Sequence, residues 1–236
     1  MFPGILHAEE LHREHVKILF GYRFPPFYTI LSAKNPAENL SGVFIDVLSN
    51  FKKSYPQYII EYKCLPRARI SKMLREGAAD AFALSSPMFN SPEENAKFEI
   101  SVPLWSIEDH LLVRSDSAIR SADISVLKGK EIAVLHGNGY GLMDEYFERG
   151  SVKKHPVYST SQILELVLSG RVDGGVCNRT TLPALMRRAK LSMSDFRIIE
   201  EPLYTYSLHL LVKRDRKAFL NDFNRFINEN PLPEIK

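Results

Sequence analysis

The segment FGYRFPPFYTI at residues 20–30 places aromatic side chains on both sides of the pair Pro25-Pro26. Because proline fixes its own φ and restricts the residue before it, this segment is predicted to be a stiff loop, neither helix nor central strand. Aromatic rings on such a loop either fill the local core or present rigid faces to a ligand. The rings concerned are those of Tyr22, Phe24, Phe27 and Tyr28.

Two arginines in the segment LPRARI have the chemistry to bind a carboxylate. Arg67 and Arg69 follow a strand-like segment and precede a predicted helix. A guanidinium group binds a carboxylate through two parallel hydrogen bonds. The alternative is that both arginines are solvated at the helix start, where the helix dipole slightly disfavours a cation.

The segment HGNGYG, residues 136–141, lies between a predicted strand and a predicted helix. A glycine-rich turn lets backbone N–H groups at a helix start close on an anion. The candidates are Gly137, Asn138, Gly139 and Tyr140. A dinucleotide fingerprint would need glycine at position 142, and because the chain has Leu142 there, the nucleotide interpretation is discarded.

The elements that position these residues alternate between strands and helices. VKILF (16–20) and YIIEYKC (58–64) are predicted strands, and the helix between them, at residues 43–55, has its apolar residues on one face. A strand, a helix and a strand in that order imply a parallel pair, so the architecture is α/β. The same order of features occurs twice, around Gly77 and Gly170: a helix, Gly, two residues, Asp and a strand. This repeat predicts two similar lobes.

The composition is that of an ordinary globular protein. Its 236 residues include 31 basic and 28 acidic side chains, and the formal net charge of +3 is scattered along the chain, so nucleic-acid binding is not indicated. No stretch approaches the roughly 18–20 apolar residues that span a bilayer. The start MFPGILHA is similar to the remnant of a signal peptide, which leaves export open. Cys64 and Cys177 are predicted to be buried free thiols.

The order of the motifs resembles that of the bacterial extracellular solute-binding proteins of family 3, the soluble receptors of polar amino acid uptake. The motifs are the aromatic-Pro-Pro-Phe loop, GVFIDVL, SVPLW, LLVRSDS, LKGKEIAVLHGNG, SGRVDGGVCN and EEPLYTYSLHLLVKRD. The resemblance covers residues 15–230 and implies the type II periplasmic binding protein fold, with two α/β lobes joined by a two-crossover hinge. Lobe 1 would comprise residues 15–106 and 203–236, and lobe 2 residues 107–202. The crossovers would lie at Trp105 to His110 and at Glu200 to Tyr206.

The resemblance also implies a solute in the cleft between the lobes, at the carboxyl ends of strands. We therefore predict that Tyr22 and Phe24 line the cleft, that Phe27 belongs to the core, and that Arg69 is a better carboxylate ligand than Arg67. The other predicted ligand-binding residues are Ser85, Ser86, Met88, Trp105, Gly137, Asn138, Gly139, Tyr140 and Asn178. No catalytic residue, cofactor or metal is predicted.

Two positions depart from the pattern that the family uses for α-amino acids. The family's carboxylate-binding arginine falls in SPEENAKFEIS, which contains Glu93, Glu94 and Asn95 but no arginine. The family's ammonium-binding aspartate corresponds to Asn178. Because a buried charge without a partner is costly, the sequence predicts a solute with a carboxylate or another acceptor and without a free ammonium.

The leading hypothesis is a non-enzymatic periplasmic receptor, expected to be a monomer. It would close around a small polar solute, amino acid-like or an organic acid, and pass it to the membrane permease of an ABC transporter. One alternative is an enzyme on the same fold, similar to cyclohexadienyl dehydratases, with Glu93, Glu94 and His136 as acid/base candidates. Another is a sensory ligand-binding domain of a larger signalling protein.

Overall fold

The computed structural model describes residues 13–21, 23–32, 34–35 and 38–235, and they form a mixed α/β fold. The strands are β1 (Glu14–Phe20), β2 (Arg23–Phe24), β3 (Tyr28–Ile30), β4 (Leu40–Ser41), β5 (Tyr58–Cys64), β6 (Ala81–Ser85), β7 (Phe98–Ile100), β8 (Trp105–Arg114), β9 (Glu131–Leu135), β10 (Lys153–Val157), β11 (Gly174–Asn178), β12 (Phe196–Ile198) and β13 (Tyr204–Lys213). The α-helices are α1 (Val43–Ser54), α2 (Arg67–Arg75), α3 (Pro92–Lys97), α4 (Ile124–Leu127), α5 (Leu142–Glu148), α6 (Thr160–Leu168), α7 (Leu182–Ala189) and α8 (Lys217–Glu229).

One continuous sheet has the strand order β10-β9-β11-β8-β13-β6-β1-β5, with β12 added on β8 and β7 on β13. Its centre is the antiparallel pair of β8 and β13, which runs from Trp105 opposite Leu208 to Asp109 opposite Tyr204. Beyond this pair β8 continues against β11 and β12, whereas β13 continues against β6 and β7. The pair therefore carries the chain twice between the two halves of the sheet.

Each half of the sheet has its own hydrophobic core. We call the half with β1, β5, β6 and β7 lobe 1, and the half with β9 to β12 lobe 2. The buried clusters of lobe 1 draw on residues 16–107 and 208–227, and those of lobe 2 on residues 111–199. The exact lobe limits inferred from the sequence stay a prediction.

Helix α1 buries one face against the strands of lobe 1. Phe44, Leu48 and Phe51 are fully buried, whereas Lys52 and Lys53 are exposed. This is the apolar stripe that the sequence spacing predicts. The helix predicted for residues 43–55 is confirmed, and it ends at Ser54.

The repeated Gly–Asp pattern has the same structural role in both lobes. Gly77 and Gly170 end α2 and α6 in the left-handed conformation, with φ of 65° and 67°. Three residues later, the Asp80 carboxylate accepts the backbone N–H of Lys17 in β1 at 2.9 Å. The Asp173 carboxylate accepts the backbone N–H of Glu131, the first residue of β9, also at 2.9 Å. The pattern therefore fixes one strand of each lobe against the loop that follows a helix.

The proline pair lies in the turn of a short hairpin between β2 and β3, which belong to a separate small sheet. The predicted loop is thus tied to a β-ladder through Phe24, which pairs with Tyr28. Phe27 is fully buried, which confirms its predicted place in the core. Cys64 and Cys177 are free, as predicted; Cys177 is buried, and Cys64 is only partly buried.

Across the described ranges, the helices lack the combination of length and apolar character that crossing a membrane requires.

Phe51 is expected to hold the two chain segments of lobe 1 together. Its ring centre lies 5.6, 5.5 and 5.6 Å from those of Phe219, Phe223 and Phe226 in α8. Phe51→Ala removes these contacts and leaves a cavity, so we expect the free energy of unfolding in urea to fall by about 3–5 kcal/mol. Lys53→Ala, on the exposed face of α1, is the control and should change it by less than about 0.5 kcal/mol. A comparably small loss for Phe51→Ala would contradict this packing.

Candidate functional site

Loops from the two lobes meet beside the β8–β13 pair, and this junction is the candidate site. The glycine loop after β9 approaches the backbone of lobe 1 at two places. A Cβ atom added to Gly137 would lie 3.2 Å from the backbone nitrogen of Ala68, and one added to Gly139 would lie 2.9 Å from the carbonyl oxygen of Phe89. The lobes are therefore closed on each other. The contacting loops follow β5, β6 and β9 at their carboxyl ends, where α/β proteins bind ligands.

Arg67, the first residue of α2, is a partly buried cation on the lobe 1 side. Its Nη2 donates to Asn90 Oδ1 at 3.2 Å, and its guanidinium carbon lies 4.8 Å from the centre of the Phe82 ring. Its Nη1 is buried and has no hydrogen-bond partner among the described residues. Burial lowers the pKa of Arg67, and the Glu94 carboxylate opposes that shift. A buried guanidinium N–H without an acceptor is a group that a carboxylate would satisfy.

Polar side chains after β6 hold the loop that approaches Arg67. Ser85 Oγ donates to Asn90 Oδ1 at 3.4 Å, and Asn90 Nδ2 donates to Asn95 Oδ1 at 3.3 Å. Asn95 Nδ2 in turn donates to the carbonyl oxygen of Pro87 at 3.0 Å. This chain of hydrogen bonds fixes Asn90 Oδ1, the acceptor for Arg67 Nη2. The residues that position Arg67 are therefore near one another in the sequence that follows β6.

Asp109 provides a carboxylate at the junction of the lobes, where β8 and β13 stop pairing. Its Oδ1 accepts hydrogen bonds from Asn178 Nδ2 at 2.9 Å and from the Tyr206 hydroxyl at 3.2 Å. Burial raises the pKa of Asp109, and these two hydrogen bonds oppose the rise. The carboxylate is thus poorly solvated, and both of its hydrogen-bond donors are neutral.

Aromatic rings from β13 and from the loop after β6 pack together beside Asp109. Phe89, from lobe 1, lies edge-on to Tyr206 and Tyr204, with ring centres 4.7 and 5.5 Å apart. The Tyr204 hydroxyl is buried and has no hydrogen-bond partner among the described residues. Burial and the Asp109 charge raise the pKa of both tyrosines, so both hydroxyls are neutral donors at physiological pH.

Several predicted site residues of lobe 1 do not lie together. Tyr22 lies outside the described residues. The Phe24 ring packs on the fully buried Phe27, with centres 4.9 Å apart, and Arg69 is exposed. Ser85 and Ser86 are buried. The exposed Met88 faces lobe 2, because its Cε would lie 2.9 Å from a Cβ added to Gly141.

The predicted site residues at the crossover and in lobe 2 also contact other parts of the protein. The Trp105 indole is buried and donates to the carbonyl oxygen of Pro233 at 3.0 Å. The Tyr140 hydroxyl accepts the backbone N–H of Leu135 at 2.6 Å, while its own backbone N–H donates to Asp144 at 2.5 Å. Gly137 and Gly139 meet the backbone of lobe 1, and Asn138 lies between them in the loop. Contact of these residues with a solute stays a prediction.

The acid/base candidates of the enzyme hypothesis are not gathered at the junction. Glu94 is buried, caps α3 together with Ser91 and pairs with Arg75 at 3.3 Å. Glu93 is exposed, and His136 packs on Tyr158 with ring centres 5.1 Å apart. Within the described ranges, no three His, Cys, Asp or Glu side chains cluster as a metal site would require.

Sequence reasoning ranked Arg67 below Arg69 and did not select Asp109. The signal for Arg67 was the preceding proline, because Arg67 starts the helix, and its guanidinium group lies over the Phe82 ring of β6. The signal for Asp109 was the polar run Glu108-Asp109-His110 between the apolar residues Ile107 and Leu111 of β8. Polar residues in the middle of a central strand usually have a specific partner.

The sequence and the fold both resemble those of known proteins. The chain matches the family model of the bacterial extracellular solute-binding proteins, family 3, over residues 16–231. No curated protein matches its sequence. Among solved structures, the arginine-bound form of truncated ArgBP from T. maritima is 19% identical with a TM-score of 0.70, covering 91% of this chain and 95% of that chain.

Two further solved structures extend the comparison. The substrate binding protein of an amino acid ABC transporter is 22% identical with a TM-score of 0.70, covering 92% of each chain. A histidine kinase sensor domain with similarity to periplasmic binding proteins is 16% identical with a TM-score of 0.75, covering 92% of this chain and 90% of that chain. At these identities the likeness shows the fold, and it confirms the predicted type II periplasmic binding protein architecture.

Asp109→Asn is expected to stabilise the ligand-free protein at neutral pH. Burial raises the Asp109 pKa, so the folded state holds this proton more tightly than the unfolded state. The stability that the neutral carboxyl contributes is complete below the unfolded pKa of about 3.9 and is lost as the pH rises through the folded pKa. Asparagine keeps an acceptor for Asn178 and Tyr206 without the charge. Thermal melts between pH 4 and pH 7 should show an advantage of the variant over the wild type that grows with pH.

Glu148→Gln, at the exposed end of α5, is the matched control and should show no such growth. The titratable groups that interact with Asp109 are unchanged in this comparison; they are His110, Tyr140, Cys177, Tyr204 and Tyr206. An Asp109→Asn variant that is less stable than the wild type at every pH would show that the Asp109 charge itself stabilises the fold.

Proposed function

The chain belongs to the bacterial extracellular solute-binding proteins of family 3, and on that premise we propose that it is a periplasmic receptor for a small polar solute, amino acid-like or an organic acid. The receptor closes its two lobes around the solute and passes it to the permease of an ABC transporter. It acts as a monomer, so one chain provides the complete cleft. Family membership and the similar structures indicate a binding protein rather than an enzyme.

The observation that carries this proposal is the partly buried Arg67 beside the junction of the lobes. Its Nη2 is held by Asn90, and its buried Nη1 has no partner among the described residues. A solute carboxylate at this point removes an unsatisfied buried donor and forms charge-assisted hydrogen bonds. Arg67 thereby takes the role for which the sequence suggested Arg69, whose side chain is exposed.

Lobe closure is the second part of the proposal. The paired segments of β8 and β13 act as the hinge, with lobe 1 at residues 15–106 and 203–236 and lobe 2 at residues 107–202. The solute shifts the equilibrium toward the closed form because it contacts both lobes at once, and only differential affinity moves such an equilibrium. The glycine loop supports this interpretation, because Gly137 and Gly139 allow close backbone contact across the cleft.

A sensory ligand-binding domain is the second candidate function. The likeness to a histidine kinase sensor domain, at a TM-score of 0.75, is the specific observation in its favour. Both functions use the same cleft and the same closure, and they differ in the protein that detects the closed form. Copurification of the native protein with either a permease or a kinase from its own cell distinguishes them.

Arg67→Ala is expected to weaken binding of a carboxylate solute by about 10–100-fold, the equivalent of roughly 1.4–2.8 kcal/mol. The solute is first identified by native mass spectrometry of the purified protein or by a thermal-shift screen of amino acids and organic acids. Calorimetry then compares Arg67→Ala with Arg69→Ala, which removes the same group from an exposed position of the same helix. Equal losses for the two variants, or a loss only for Arg69→Ala, would overturn the assignment of Arg67.

Gly139→Val is expected to hold the lobes apart. Even the first carbon of its side chain would lie 2.9 Å from the Phe89 carbonyl oxygen, closer than side-chain carbons normally approach. Small-angle scattering should give a larger radius of gyration than the wild type shows with solute bound, and the solute should bind more weakly because it must oppose this clash. Asn138→Ala is the control from the same loop and should leave the radius unchanged. A Gly139→Val variant with the wild-type radius and affinity would contradict the hinge.

A further inference from the structure

We propose that Asp109 provides the negative charge for an amine of the solute, with Asn178 holding that carboxylate in place, so that the solute carries both an amine and a carboxylate. This inference rests on the proposed function and deepens it. It replaces the sequence-based expectation of a solute without a free ammonium. The resemblance implied an aspartate at position 178, and in this chain the charge lies instead on the neighbouring strand, opposite that position.

The register of the sheet brings the two positions together. β11 runs antiparallel to β8, and Asn178 lies directly opposite Asp109. Their side chains form a hydrogen bond of 2.9 Å from Asn178 Nδ2 to Asp109 Oδ1. A carboxylate at either position therefore serves the same small volume at the junction of the lobes.

Asn178 is already committed to protein partners. Its Nδ2 also donates to the carbonyl oxygen of Glu108 at 3.1 Å, and its Oδ1 accepts the backbone N–H of Thr181 at 3.2 Å. The amide thus has both a donor and an acceptor engaged, and it orients the Asp109 carboxylate. Asn178 is a positioning residue in this scheme, and Asp109 is the group that touches the solute.

Asp109 has no cationic partner within the described ranges. None of the ion pairs found there includes Asp109. Its donors are the Asn178 amide and the Tyr206 hydroxyl, and its side chain is only partly buried, so part of it remains accessible. A partly desolvated carboxylate with neutral donors favours a cation as its remaining partner.

A third polar group at the junction is also unsatisfied. The Tyr204 hydroxyl is buried without a partner, and its residue lies directly opposite Asp109 in the β8–β13 pair. An ammonium group donates three hydrogen bonds, so it can satisfy Asp109 and the lone pair of a tyrosine hydroxyl together. Phe89 packs against both tyrosines from lobe 1, so closure covers the amine site with an apolar ring that excludes water.

The opposite charges are contributed by different parts of the molecule. Arg67 belongs to lobe 1, and Asp109 belongs to the crossover strand that leads into lobe 2. A zwitterion bound between them neutralises both partly buried charges, whereas a simple carboxylic acid leaves Asp109 without a cation. Since an unpaired buried charge is costly, the amine determines which carboxylates bind.

The test uses probes in matched pairs that differ only in the α-amine: phenylalanine and hydrocinnamate, leucine and isocaproate, alanine and propionate, and glutamine and glutaramate. The remaining common amino acids complete the panel. Thermal shift and calorimetry are run on the wild type, Asp109→Asn, Asn178→Asp and the double variant D109N/N178D. The double variant exchanges the two side chains and keeps one carboxylate and one amide in the pair.

The expected result is that the wild type binds at least one amino acid about 100-fold more tightly than its deaminated partner, a difference of roughly 2.7 kcal/mol. Asp109→Asn should lose most of this preference without losing affinity for the deaminated partner, an outcome that a general folding defect would not produce. D109N/N178D should regain binding to within about tenfold of the wild type, because the negative charge returns to the same volume. Asn178→Asp should instead be destabilised at neutral pH, since it places two carboxylates at hydrogen-bond distance.

Tight binding of deaminated acids by the wild type, with Asp109→Asn having no effect, would overturn the role of Asp109 and leave the receptor function intact. An amino acid that binds equally well to the wild type and Asp109→Asn would overturn it in the same way. If neither member of any pair nor any other amino acid binds the wild type, the inference fails together with the proposed receptor for amino acid-like solutes and organic acids.

Discussion

The antiparallel pairing of β8 with β13 is the interaction on which the rest of the structure depends. It consists of the five residue pairs from Trp105–Leu208 to Asp109–Tyr204. Because each strand leaves the pair into a different half of the sheet, this ladder joins two cores that are otherwise separate. The last pair of the ladder, Asp109–Tyr204, also provides polar side chains to the junction of the lobes. The backbone that connects the lobes therefore also positions the groups available to a solute.

The parts of the fold that repeat locally could be predicted from the sequence. Helix α1 follows from the spacing of Phe44, Leu48 and Phe51, and the Gly–Asp pattern predicts a helix end and the following strand in each lobe. These features depend on residues within one or two turns of each other. The order of such units was enough to predict the α/β class and the type II fold, although no single motif was specific.

The site could be predicted only in part because it depends on long-range register. The hydrogen bond between Asp109 and Asn178 joins residues that are 69 positions apart, and the Asp109–Tyr206 contact spans 97 positions. Position 178 considered alone therefore indicated that the negative charge at this position is lost, although the Asp109 carboxylate lies on the adjacent strand. Arg67 and Arg69 differ in the same way. Their sequence neighbourhoods are nearly identical, but helix geometry partly buries Arg67 and exposes Arg69.

The junction retains polar groups that the fold itself does not satisfy, and this cost has a functional explanation. Arg67 Nη1 and the Tyr204 hydroxyl are both buried without partners among the described residues, and Asp109 has only neutral donors. Each such group destabilises the closed, ligand-free form, because buried polar groups without partners are costly. In the proposed receptor, a solute that satisfies all three groups would stabilise the closed form selectively, because an open form would expose these groups to water. On this proposal, affinity and closure arise from the same unsatisfied groups, which couples solute binding to the position of the lobes.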